Sequence, residues 1–202
     1  MVLPISGMLF PNPDLPEGFL YQPDFLTSDE ERLLLAKISP LPFAAFDFHG
    51  YTAKRRVVEY GLEYDFSTRR ATPTASFPDF LIAVRQRAAA LANVPTERLV
   101  EGIVTEYSPG TPIGWHRDAP QFGTIIGISL ASSCRMRLKP YQPPSKKSEM
   151  TEPTRVRPLS IILEPRSAYV IQGVARWRFQ HSIPAVEQLR YSITFRTLRG
   201  RE

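Results

Sequence analysis

Six short β-prone segments separated by turn residues fill the second half of this chain, and they leave few architectures open. LVEGIVTEY, TIIGISLA, CRMRLKPY, LSIILEP, SAYVIQG and YSITFRTL follow one another between residues 99 and 198. Each is rich in branched or aromatic residues and too short for a stable helix. Pro-Gly, Gly-Thr and Pro-Arg-Ser junctions punctuate them, and 20 prolines are too many for a helical bundle. Two helical patterns precede the strands. TSDEERLLLAKI carries Thr27 as a cap and Glu30 three residues later, the signature of a capping box. Around 78–91, Pro78 suits a first turn, Phe80, Val84, Ala88 and Leu91 recur at helical spacing, and Arg85 and Arg87 are expected to face water. Short strands after helices predict a mainly β fold with flanking helices, a small barrel or sandwich with its helices outside.

Between the two helical patterns lies FHGYTAKRRVVEYGLEYDF. Val57, Val58 and Tyr60 are β-prone, Gly50 and Gly61 mark expected turns, and Lys54, Arg55 and Arg56 form a basic cluster near the surface. The stretch from Gln142 to Pro158 lacks an apolar period and reads as a long loop beside the site. The formal charge of +5 is uneven. Residues 1–38 hold six acidic and two basic side chains, whereas residues 135–157 hold seven basic and two acidic ones. Such patches suit a phosphate backbone, and equally an ordinary solvated surface. Cys134 is the only cysteine, which excludes an internal disulfide and favours a reducing compartment, with the cytoplasm as the expected location. No apolar stretch approaches the roughly 20 residues that span a bilayer, so no membrane is expected.

The chemistry-bearing residues cluster late. GWHRDAP holds His116 and Asp118 two positions apart, which on an extended segment places both on one face. WRFQHSIP adds His181 from another strand or its edge. Two imidazoles and a carboxylate suit iron(II) with positions left open for small molecules. Unrelated hydrogen-bonding roles for the three residues are the alternative. Arg190 and Arg196 lie six apart, again on one strand face, and suit a dicarboxylic acid. A buried ion pair within a basic strand is the competing reading. Trp115 alternates away from His116 and is expected to pack against the barrel wall, and Arg117 faces away from the metal.

Taken in order, these segments resemble the AlkB family of 2-oxoglutarate and iron(II)-dependent dioxygenases from about Glu101 to Arg199. VTEYSPGTPIGWHRD places Tyr107 nine residues before His116, GVARWRFQHSIP carries His181, and RYSITFR resembles the family's RxNxTxR signature. RRVVEYG resembles a segment near the nucleotide-recognition lid. Two positions depart from the family pattern, with Thr105 and Ser192 standing where asparagine is frequent. Pro120 stands where repair relatives can carry an acidic residue.

The resemblance implies one domain over 1–202 with a double-stranded β-helix (jelly-roll) core at 99–199. Residues 1–98 would then supply an N-terminal extension, outer helices and a recognition lid. It implies Fe(II) on His116, Asp118 and His181, which are the catalytic set. It implies 2-oxoglutarate held by Arg190 with Tyr107, Arg196 near the metal end, Thr105 and Ser192 beside it, and O2 as the second cosubstrate. The implied activity is oxidative dealkylation of nucleobases in DNA repair by a monomer, with alkylated DNA as the expected partner. RNA or transfer RNA modification, hydroxylation of a protein or small molecule, and non-catalytic nucleic-acid binding stay open. Phe48, His49 and Tyr51 are candidates to cover a base, and Lys54, Arg55 and Arg56 to touch phosphate.

Overall fold

Helix α1 (Ser28–Ile38) starts where Thr27 and Glu30 close the expected capping box. The Thr27 amide donates to Glu30 Oε2 at 2.7 Å, and the Glu30 amide donates to Thr27 Oγ1 at 3.2 Å. Helix α2 (Asp79–Leu91) buries Leu81, Val84, Ala88 and Ala89. The computed structural model describes residues 15–48, 51–65, 70–142 and 157–200, with the side chains of 46–48, 51–53, 63–65 and 70–71 left undescribed. Most of the loop expected at 142–158 therefore lies outside the described residues.

The strands are β1 (Phe19–Gln22), β2 (Ala44–Phe48), β3 (Tyr51–Asp65), β4 (Arg70–Pro73), β5 (Leu99–Tyr107), β6 (Ile113–His116), β7 (Phe122–Leu130), β8 (Cys134–Pro140), β9 (Leu159–Leu163), β10 (Ala168–Ile171), β11 (Phe179–Ile183) and β12 (Arg190–Leu198), with a short helix α3 (Gly173–Arg178) after β10. A large sheet runs β1-β10-β7-β12-β5-β3-β2, with β4 beside β3, and a small sheet runs β6-β11-β8-β9. All the pairings are antiparallel. The fold is mainly β with flanking helices and has the jelly-roll form.

Period-two alternation gives the large sheet two apolar faces. Val104, Ile126, Ile128, Ile193 and Phe195 point one way and pack with Leu34, Ile38, Leu81 and Ala88 of the helices. Tyr107, Ile125, Tyr169 and Ile171 point the other way and pack with Met136, Leu138 and Ile183 of the small sheet. Arg85 and Arg87, expected to face water, instead staple helix α2 to its surroundings. Arg85 donates to the Leu99 carbonyl at 2.9 Å, and Arg87 pairs with Glu30 at 2.6 Å while donating to the Phe25 carbonyl. A guanidinium satisfies carbonyls and carboxylates at a helix flank while its stem covers apolar surface.

Gly61, expected to mark a turn, sits inside β3 at the point where that strand leaves β5 and takes up β4. Pairing with β5 ends at Gly61↔Glu101, and pairing with β4 begins at Leu62↔Pro73. Its φ is +78°, and a Cβ there would stand 2.2 Å from the Val100 carbonyl oxygen and 2.8 Å from the Phe77 ring. Gly61→Ala is therefore expected to cost roughly 2–4 kcal/mol, from left-handed backbone strain and overpacking together. Urea unfolding would show this as a lower midpoint at unchanged slope. A loss below about 0.5 kcal/mol would mean that the kink relaxes freely.

Candidate active site between the two sheets

The strand pairing that joins the edges of the small sheet also joins two imidazoles. His116 ends β6 directly opposite His181 on β11, and their ring centroids lie 4.3 Å apart. Asp118 follows two residues after His116, and its Oδ2 lies 3.8 Å from His181 Nε2. One ligand atom from each of the three residues can be chosen so that all lie within 4.8 Å of one another.

The protonation states already suit a cation. Burial pushes His181 down to about 3, helped by the neighbouring His116. Burial also lowers His116, against the pull of Asp118. Burial alone would raise Asp118, but Arg196 and the two imidazoles hold its carboxyl well below the usual range. His116 Nδ1 lies 2.9 Å from the Gly114 carbonyl, which orients the ring with Nε2 turned away from that contact. A divalent cation titrated at pH 7 should therefore release close to zero protons, since all three groups are in their ligating form. Calorimetry in two buffers of different ionisation enthalpy reads this directly. Release of about one proton would show that an imidazole is protonated in the metal-free protein.

β12 supplies the cationic wall. Alternation sends Arg190, Ser192, Thr194 and Arg196 to one face, and the register sets them opposite Tyr107, Thr105, Ile103 and Glu101 of β5. Arg196 bridges two carboxylates, with Nη1 2.6 Å from Glu101 Oε2 and Nη2 2.7 Å from Asp118 Oδ1. Burial pushes the Glu101 carboxyl up, against the opposing pull of Arg196. Arg190 differs. It is 1% exposed, its Nε donates to Ser129 Oγ at 3.2 Å, and its guanidinium lies 4.8 Å from the centre of the Tyr107 ring. Its Nη1 is buried with no hydrogen-bond partner among the described residues. The Tyr107 hydroxyl lies 3.4 Å from Ser192 Oγ, and Thr105 is buried beside them.

These groups share one cavity of about 500 Å³, walled by Tyr107, Ile125, Met136, Tyr169 and Ile183. Lys54 and Arg55 of β3 line it, as do Trp115 and Arg117. Arg56 points to the other face of the sheet, where it pairs with Glu106 at 2.6 Å, and it does not line the cavity. The side chains of Phe48 and Tyr51, and all of His49, lie outside the described residues. Trp115, expected to pack in the wall, is instead half-buried on the cavity. Lys139 Nζ lies 4.3 Å and the Arg137 guanidinium 5.1 Å from its ring centre. Its strand lies at the edge of the small sheet, so the outward face of Trp115 meets cations rather than a core. Arg117 stacks 3.6 Å from the centre of the Tyr141 ring.

Two groups carried no sequence signal. Glu101 sits in a β-prone run, and only the register of β5 against β12 brings it to Arg196. Arg176 of α3 is 3% exposed and donates to the carbonyls of Asp118 (3.2 Å), Ala119 (2.8 Å), Phe122 (2.9 Å) and Gly123 (3.1 Å). It thereby fixes the segment that carries Asp118. Nothing in GVARWRF distinguishes a buried arginine from a solvated one.

Residues 18–196 match the family model described as the 2OG-Fe(II) oxygenase superfamily. The chain is 29% identical over 181 residues to the alkylated DNA repair protein ALKBH8 homolog of Arabidopsis thaliana, covering 83% of this chain and 51% of that protein. It is 30% identical over 166 residues to the mitochondrial alpha-ketoglutarate-dependent dioxygenase alkB homolog 7 of Mus musculus, covering 80% of this chain and 65% of that protein. The chain thus spans about half and about two thirds of these two relatives. Among solved structures, OsALKBH1 superposes with a TM-score of 0.64 at 15% identity, covering 91% of this chain and 98% of that one. At that identity the likeness is one of fold.

Proposed function

This chain belongs to the 2OG-Fe(II) oxygenase superfamily and is AlkB-like within it, a 2-oxoglutarate-dependent dioxygenase that uses Fe(II), 2-oxoglutarate and O2, and from that premise we propose that it removes alkyl groups oxidatively from nucleobases in DNA. We take it to act as a cytoplasmic monomer. The carrying observation is the shared cavity. It joins the His116, Asp118 and His181 cluster to an unpartnered buried guanidinium on one side and to Lys54, Arg55 and Trp115 on another. The Arabidopsis relative's name as an alkylated DNA repair protein supports the substrate class.

The residues fit the groups they would hold. Two neutral imidazoles and a carboxylate suit Fe(II) better than a soft or purely oxygen-liganded ion. Arg190 Nη1, buried without a partner, suits the far carboxylate of 2-oxoglutarate, with Tyr107 and Ser192 beside it. When bound, iron, 2-oxoglutarate and O2 supply oxidation of a C–H bond coupled to loss of carbon dioxide and formation of succinate. The chain's own part is positional. Arg196 engages Asp118 Oδ1, which leaves Oδ2 on the side of His181. Arg176 holds the backbone beneath Asp118, and the apolar wall keeps water from the reacting carbon. Hydroxylation of an N-methyl group gives N–CH2OH, whose C–N bond breaks to release formaldehyde and return N–H to the base.

The test is formaldehyde release from methylated single- and double-stranded DNA, methylated RNA and unmethylated controls, with iron and 2-oxoglutarate present. Release from methylated DNA above the other arms is the expected result. Release from RNA alone would move the substrate to RNA. Consumption of 2-oxoglutarate without formaldehyde from any oligonucleotide would exclude nucleobase dealkylation.

A further inference from the structure

The charges around the cavity divide into an inner set that cancels and an outer set that does not. With the family's groups bound, the inner set is Fe(II) (+2), 2-oxoglutarate (−2), Asp118 and Glu101 (−1 each) and Arg190 and Arg196 (+1 each), which sum to zero. The outer lining holds Lys54, Arg55 and Arg117 (+1 each) against Glu59 (−1), a sum of +2. Glu101 and Asp118 are both engaged by Arg196, so neither is available to balance the outer excess. Arg55 is half-buried, and its charge reaches His116, Asp118 and Tyr107. Lysine and arginine are donors only, so they meet acceptors and repel cations.

Resting on the nucleobase reading above, we propose that this site takes an N-methyl group flanked by carbonyls on a neutral base, and discriminates against bases that methylation makes cationic. The pyrimidine 3-methyluracil presents two carbonyl oxygens beside its methyl group and no charge. Its analogue 3-methylcytosine is a cation at neutral pH and presents an amino donor in place of one carbonyl. The two have the same size and carry the same methyl group, so the difference between them isolates charge and hydrogen-bond sense. Against a like charge about 8 Å away in surroundings of intermediate polarity, the cation binds weaker by on the order of tenfold or more. Lys54 and Arg55 are the specificity-determining residues in this arrangement, since both lie on the β3 wall of the cavity.

The experiment compares kcat/KM for formaldehyde release from two oligonucleotides of identical sequence, one holding a single 3-methyluracil and the other a single 3-methylcytosine. The wild type is expected to prefer 3-methyluracil by at least about tenfold. Arg55→Gln should narrow that ratio, and Lys54→Gln at the exposed rim carries the same comparison if the first variant folds poorly. Equal turnover, or a preference for 3-methylcytosine, overturns the inference while leaving nucleobase dealkylation standing. A wild-type preference that neither variant changes overturns the assignment to these residues. No formaldehyde from either oligonucleotide, with 2-oxoglutarate still consumed, overturns both this inference and the nucleobase reading.

Discussion

Replacing Arg190 with methionine is expected to abolish useful affinity for 2-oxoglutarate while leaving the metal-free protein as stable as before, or more stable. A fully buried arginine usually has a carboxylate beside it. Arg190 has the Ser129 hydroxyl, the Tyr107 ring and one nitrogen with no partner among the described residues. Burying a cation without a counter-charge costs several kcal/mol, and a methionine of similar length removes that cost. The same change deletes a charge-assisted, two-pronged anchor for a carboxylate, worth about 2–4 kcal/mol, so affinity should fall by roughly 30- to 1000-fold. Thermal unfolding with and without 2-oxoglutarate, at saturating manganese(II), reads both quantities. The cosubstrate should raise the midpoint of the wild type and leave that of the variant unmoved. Unchanged affinity, or a stability loss above about 2 kcal/mol, would show that Arg190 is a structural residue.

Arg196→Met should behave in the opposite way. Arg196 is the printed ion partner of both Glu101 and Asp118, whose side chains are 1% and 5% exposed. Removing it strands two buried carboxylates a short distance apart, and breaking a buried pair in this manner costs about 3–5 kcal/mol. The cost should fall when one charge is also removed. Glu101→Gln added to Arg196→Met is expected to recover about 1–2 kcal/mol, although each change alone destabilises. A lost-packing effect predicts no such recovery, so equilibrium unfolding of the single and double variants separates the two causes. The pH dependence carries the same sign. The folded pKa of Asp118 lies below its unfolded value, so its contribution is complete above about pH 4 and is lost as the pH falls below that.

Much of the scaffold was legible because its signals are local. The capping box of α1 and the alternation in LVEGIVTEY and RYSITFRTL depend on residues a few positions apart, and each element lies within a residue or two of its expected bounds. The strands that escaped notice are β1, β6 and β11, at four or five residues each. Runs that short hold too few alternations to be told from loop. Gly61 was misleading because a positive φ serves a strand that changes partners as readily as it serves a turn.

At the site, residue types and spacing pointed to His116, Asp118, His181 and the two arginines, and the structure brings all five to one cavity. What spacing does not contain is register. Register makes His116 and His181 direct cross-strand neighbours, sets Glu101 opposite Arg196, and sends Arg56 to the far face while Arg55 lines the cavity. A shift of one residue in any of these pairings would turn the same side chains outward.

The most direct measurement is an anaerobic iron(II) titration followed by 2-oxoglutarate turnover in the wild type and in His116→Ala, Asp118→Ala and His181→Ala. The wild type should bind one iron per chain and convert 2-oxoglutarate to succinate on admission of oxygen. Each variant, folded by circular dichroism, should lose tight iron binding and at least about a thousandfold in turnover, as removal of an essential metal ligand requires. Normal iron stoichiometry and normal succinate formation in any well-folded one of the three would contradict the assignment of that residue to the metal.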